Sequence, residues 1–162
     1  VYGVELKNDG HEVDLAATQK LRDKMRNDRL STAKPVKDGA PRGKISDNNR
    51  RVMRIHENLD IFDTGHGFRI GCRCCKEDFG PAEGNYKEAA LYRVTAKDAI
   101  TDLPPPAGRS SLGHYVEYFC KGCATQLDVE TYVPKTDGDK VVPVWDIQIS
   151  PVAIAHAAAA HP

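Results

Sequence analysis

Two short cysteine clusters constrain this chain more than any other feature: Cys72-Arg73-Cys74-Cys75 and Cys120-Lys121-Gly122-Cys123. Each directly follows a run with strand character, Phe68-Arg69-Ile70 before the first and Tyr115 to Phe119 before the second. A Cys-x-x-Cys turn at a strand end lets two thiolates converge on one ion, and two such turns complete a tetrahedral four-sulfur shell for Zn2+. The clusters are farther apart than the common spacing of about 15–20 residues. A further strand candidate and a proline-rich loop fill that gap, so it reads as an insertion. Knuckle symmetry selects Cys72, Cys75, Cys120 and Cys123, with Cys74 as the alternative to Cys75. A closed four-sulfur site leaves no position for water or substrate, and its expected job is to supply folding energy to a small domain. Three other readings use the same residues. They are iron in a rubredoxin-like site, a catalytic zinc on three cysteines with His66 or His114, and cysteines without metal. Five cysteines in two tight groups do not suit a disulfide framework, so the expectation is a reduced, cytoplasmic, metal-binding chain.

Charge divides the 162 residues into two parts. Lys+Arg and Asp+Glu both number 23, which disfavours a uniformly basic nucleic-acid binder and an acidic disordered chain. The positive residues nevertheless crowd between Lys20 and Arg54, a stretch that also holds Pro35, Gly39, Pro41 and Gly43 and few large apolar residues. Such a segment buries too little surface to offset its ordering entropy alone. Residues 1–50 are therefore expected to form an extended basic arm that orders on a partner surface; a solvated linker is the plainer reading. No aromatic residue interrupts the basic run to stack on bases, so nucleic acid is a disfavoured partner. Within the arm, Asp14 to Leu30 predicts one helix with Asp14 as N-cap.

From residue 51 the pattern turns strand-like. Leu59-Asp60-Ile61-Phe62 and Phe68-Arg69-Ile70 flank Asp63-Thr64-Gly65-His66-Gly67, which predicts a β-hairpin. Further strands are expected at Ala89–Thr95, His114–Phe119, Thr125–Val133 and Val141–Ile149. Pro104-Pro105-Pro106 marks a long loop. The fold class expected is mainly β: a small antiparallel zinc-ribbon-like domain over 51–150, preceded by the partly helical arm. An alanine-rich tail, 151–162, is either disordered or docked. Its His156 and His161 do not share a helical face and make a poor metal pair. No stretch approaches the roughly 20 apolar residues of a membrane span.

Catalytic constellations are not found. There is no Walker-type phosphate loop and no Gly-x-Gly-x-x-Gly before a helix. Ser110 and Ser111 precede His114 without any triad geometry implied. Asp128 and Glu130 alternate along a strand and are expected on a solvated edge. Trp145 is expected to anchor a core or an interface.

Several short motifs around the knuckles go together: Cys72-Arg73-Cys74, Asp78-Phe79, Asn85-Tyr86-Lys87, Glu117-Tyr118-Phe119-Cys120, Cys123, Leu127-Asp128-Val129-Glu130 and Pro143-Val144. In this combination the chain resembles the small γ subunit of the acetone carboxylase family, the ATP-dependent ketone carboxylases that include acetophenone carboxylase. The resemblance covers about half the chain and leaves out the arm and the tail. It implies a zinc-bearing accessory subunit with no catalytic residue of its own. It also implies a hetero-oligomer with larger hydantoinase-like subunits, which use ATP without biotin to join a ketone and bicarbonate into a β-keto acid. Cys75 stands where family members often have glycine, so matching to the family pairs Cys72 with Cys74, whereas knuckle geometry pairs Cys72 with Cys75. The differing arm favours the acetophenone type over the acetone type. An independent zinc-ribbon binding module, for nucleic acid or protein, is the alternative function.

Overall fold

Asp14 starts the first helix as its composition suggests: its carboxylate accepts a hydrogen bond from Ala17 N at 2.8 Å, satisfying a backbone donor with no partner inside the helix. The computed structural model describes residues 3–8, 10–40, 43–96, 113–132 and 141–160. The predicted Pro104–Pro106 loop, Ser110, Ser111 and His161 lie outside the described residues. Helix α1 runs Leu15–Thr32 and leads into a two-residue strand, β1 (Lys34–Pro35). Strands β2 (Arg50–His56), β3 (Leu59–Asp63), β4 (Phe68–Cys72) and β5 (Asp78–Pro81) follow, then a 3-10 turn at Tyr86–Ala89. Strands β6 (Leu91–Ala96), β7 (His114–Phe119), β8 (Gln126–Tyr132) and helix α2 (Pro151–Ala160) complete the order.

The strands make two four-stranded antiparallel sheets, ordered β2-β3-β4-β5 and β1-β6-β7-β8. The fold is thus mainly β. The predicted hairpin is β3–β4, with Ile61 opposite Ile70 and Asp63 opposite Phe68. Gly65 and Gly67 both take positive φ in its turn, the conformation glycine adopts without steric cost. One apolar cluster draws on both sheets, including Leu59, Ile61, Ile70, Val116, Tyr118 and Leu127.

The basic N-terminal segment lies against this core. Lys34 and Pro35 pair with Tyr92 and Leu91. Arg29 donates to Ala124 O at 3.1 Å and stacks over Phe119 at 5.2 Å, while Arg93 pairs with Asp28 at 2.9 Å. Leu15 is left largely exposed, so α1 is held as much by its arginines as by its thin apolar stripe.

One expectation changes and two are narrowed. Val141–Ile149 is not a ladder strand: it is a strap without regular secondary structure, with Val141, Ile147 and Ile149 against the core. Pro143 has no N–H to contribute, and side chains take the neighbouring groups: Val144 N donates to Glu130 and Asn85 donates to Pro143 O. Trp145, in the same strap, is substantially exposed and anchors no core. The alanine-rich tail is docked as helix α2, whose Ile154 is fully buried and whose Ala158 carbonyl accepts from Arg50 at 2.9 Å.

Candidate metal centre

The two knuckles are built alike. After Cys72, Lys76 adopts positive φ and its N–H returns to Cys72 O at 2.9 Å; after Cys120, Ala124 does the same to Cys120 O at 2.8 Å. Each leading cysteine also donates its own N–H to the carbonyl five residues on, Cys72 to Glu77 at 2.9 Å and Cys120 to Thr125 at 2.8 Å. Cys75 and Cys123 therefore hold equivalent places in equivalent turns, and Cys74 corresponds to Gly122. That glycine is needed for space: a Cβ there would sit 2.7 Å from Glu77 Oε2 and 2.9 Å from Cys75 Sγ.

One knuckle comes from each sheet, and the two meet. Cys72 Sγ lies 3.7 Å from Cys123 Sγ, and Cys75 Sγ lies 3.6 Å from Cys120 Sγ. All four sulfurs lie within 4.8 Å of one another. Zinc–sulfur bonds of about 2.3 Å place tetrahedral sulfurs about 3.8 Å apart, so this donor set fits a four-thiolate ion. Cys74 is exposed and stands outside the group. Neither His66, His114 nor His156 joins it. Among the described residues this is the one group of cysteine, histidine or acidic side chains placed to hold a metal.

Without a cation the four thiols cannot all ionise. Hydrogen bonding with Cys123 and Cys72, and then burial, hold Cys120 protonated. Burial pushes the Cys75 thiol up to about 12. Hydrogen bonds from Cys120 and Cys72, with Thr125 at 3.1 Å, hold Cys123 well below the usual thiol range. Burial also raises Cys74. A divalent cation held by these four sulfurs would replace their protons, which would make loading more favourable as pH rises.

A second polar group was not anticipated from the sequence. Lys87 is 0% exposed, and its Nζ meets Asp128, Glu130 at 2.6 Å and Asp146 at 3.2 Å. Tyr118 Oη donates to Glu130 at 2.9 Å, and Tyr86 Oη reaches Asp146 at 3.5 Å. Asp128 and Glu130 are therefore not a solvated edge; they face a buried ammonium. The available signal was Lys87 itself, a charged residue next to Tyr86 in the run Tyr86-Lys87-Glu88-Ala89-Ala90, where only pairing permits its burial.

The acetone carboxylase gamma subunit family model matches residues 45–142. The chain belongs to that family. The matched stretch is more than half of the chain and contains both knuckles, Lys87, Asp128 and Glu130. No curated protein matches the chain. A gamma subunit of this family is part of a multi-subunit carboxylase, a ligase complex. Among the described residues no helix is long and apolar enough to cross a membrane.

Proposed function

We propose that this chain is the structural, zinc-bearing accessory subunit of an ATP-dependent, biotin-independent ketone carboxylase in the cytoplasm. In this reading it holds together larger hydantoinase-like subunits, which convert a ketone, bicarbonate and ATP to a β-keto acid. The observation that carries the reading is the four-cysteine cluster joining both sheets inside the family match. Cys72, Cys75, Cys120 and Cys123 would hold Zn2+, and the ion would supply folding energy where the two sheets meet. A four-thiolate shell is full, so the ion offers no position to a ketone or bicarbonate. ATP is bound by the partner subunits alone.

The surface agrees with a subunit role. Val142, Val144, Trp145 and Val152 are exposed along the C-terminal strap and the start of α2, a concentration of apolar side chains of the kind that marks protein interfaces. The matched description names acetone; the preference for acetophenone rests on the arm outside the match, and assaying the purified complex with both ketones decides between them.

Native mass spectrometry of the tagged chain isolated from its host tests the function. The expected result is a complex containing the larger carboxylase chains and one zinc per copy of this subunit. A stable, zinc-bearing 17.8 kDa species with no partner would overturn it in favour of an independent zinc-ribbon module.

A further inference from the structure

Arg22, Met25, Arg26 and Arg29 fall on one face of α1, at the i, i+3, i+4 and i+7 spacing that brings helical side chains into line. They form one wall of a groove of about 690 Å3, with Asn58 and Thr125 on the other wall beside the second knuckle. Among the described residues no acidic side chain lines it. Among the described residues Arg22 and Arg29 enter no ion pair: Arg22 donates to Gly3 O at 3.2 Å and Arg29 to Ala124 O. Of the helix's own acids, Asp28 is engaged outside the groove by Arg93, and Asp23 pairs with Arg26 at 3.1 Å, which leaves Arg22 and Arg29 as the groove arginines without an acidic partner among the described residues. Burial pulls the Arg29 guanidinium below its ordinary value, Arg93 and Arg26 add to this, and Glu117 and Asp28 oppose it. The groove is a positively charged cleft short of anions.

We infer that this groove between α1 and the second knuckle receives a carboxylate-bearing segment of the larger carboxylase subunit. The inference rests on the subunit reading above and adds where and by what chemistry the partner is held. The spread of charge selects the ligand. Arg22 and Arg29 are seven residues apart, about 10 Å along the helix axis. A single phosphate cannot engage both ends of such a row. Carboxylates on alternate residues of an extended segment recur about every 7 Å and can. Guanidinium groups suit this partner because each can grip a carboxylate with two parallel N–H donors. Arg29 also holds the Ala124 carbonyl, so the same side chain links the groove to the turn that presents Cys120 and Cys123.

The test uses the complex isolated from its host through a tag on this subunit. Arg22→Glu with Arg26→Glu is expected to keep zinc and fold but weaken retention of the large carboxylase chains by about tenfold or more, whereas R22K with R26K retains them. Arg26→Glu alone repeats the test at a residue whose recorded partner is Asp23, should the double variant fold poorly. Charge-reversed variants that retain the large chains as well as wild type would overturn the inference while leaving the subunit reading intact. A wild-type chain that brings down no carboxylase subunit would overturn both. Calorimetric titration of the full chain with a hexaglutamate peptide and with inorganic tripolyphosphate separates the sources of anion. Binding of the peptide, abolished by R22E with R26E, supports the inference; binding of tripolyphosphate alone would assign the groove to a free phosphate compound and overturn it.

Discussion

Lys87 Nζ lies 2.6 Å from Glu130 Oε1, joining the 3-10 turn after β5 to the middle of β8. The ammonium also meets Asp128 and Asp146, so one buried cation ties together three chain segments, the last being the strap that carries Trp145. Burial of Lys87 without these partners would be prohibitive.

Lys87→Met should therefore destabilise the zinc-loaded protein by about 3–5 kcal/mol, because it leaves Glu130 and Asp128 facing each other without their counter-charge. Urea unfolding of the variant against wild type measures this. A loss below about 1 kcal/mol would show that the cluster contributes little to stability.

Alkali should act on the same cluster. Burial alone lowers the Lys87 pKa, but Asp128 and Glu130 overcome it and hold the folded value above the ordinary 10.5. Burial and the charges of Asp146 and Asp128 raise the Tyr86 phenol above its ordinary 10.0. Both groups keep protons in the fold that the unfolded chain releases. Their stabilisation is thus complete below pH 10 and is lost as pH rises from there through the folded values. Thermal melts between pH 8 and pH 12 should show a falling Tm above about pH 10, with a shallower fall in Lys87→Met. An equal slope in the variant would count against a role for Lys87.

Cysteine substitutions separate the two proposed ligand sets. Cys75→Ser should lose the metal and unfold, whereas Cys74→Ser should keep one zinc per chain and a near wild-type melt, because Cys74 lies outside the four-sulfur group. Metal content by plasma mass spectrometry on the purified variants gives the answer. The reverse pattern would move the ligand role to Cys74.

The C-terminal helix should contribute to the core. Ile154 is fully buried and belongs to the cluster that includes Leu59, Ile61 and Ile70. Ile154→Ala is expected to cost about 2–5 kcal/mol, while Val152→Ala, at an exposed position two residues away, should change stability by less than about 0.5 kcal/mol in the isolated subunit. Chemical denaturation of both variants checks the contrast. Equal costs would mean that α2 does not dock as described.

The sequence by itself determined what depends on neighbours along the chain. Asp14 caps α1 because an N-cap needs an oxygen within reach of the next turn's N–H groups. The β3–β4 hairpin follows from two glycines between two apolar runs. The knuckles follow from cysteines three apart at strand ends. Tertiary structure decided the rest. Lys87, Asp128, Glu130 and Asp146 carry no shared local pattern and meet only because sheet pairing and the strap bring them together, so Asp128 and Glu130 read as solvated until the ammonium is in place. Val141–Ile149 alternates like a strand, yet among the described residues no neighbouring strand offers it a ladder, and side chains of Glu130 and Asn85 meet its polar groups instead. The alanines of α2 hold no directional signal; the docking of that helix depends on the cavity that Ile154 fills. Alternation and propensity report which side of an element is apolar, while its partner depends on the closure of long loops, and that information is distributed over the whole chain.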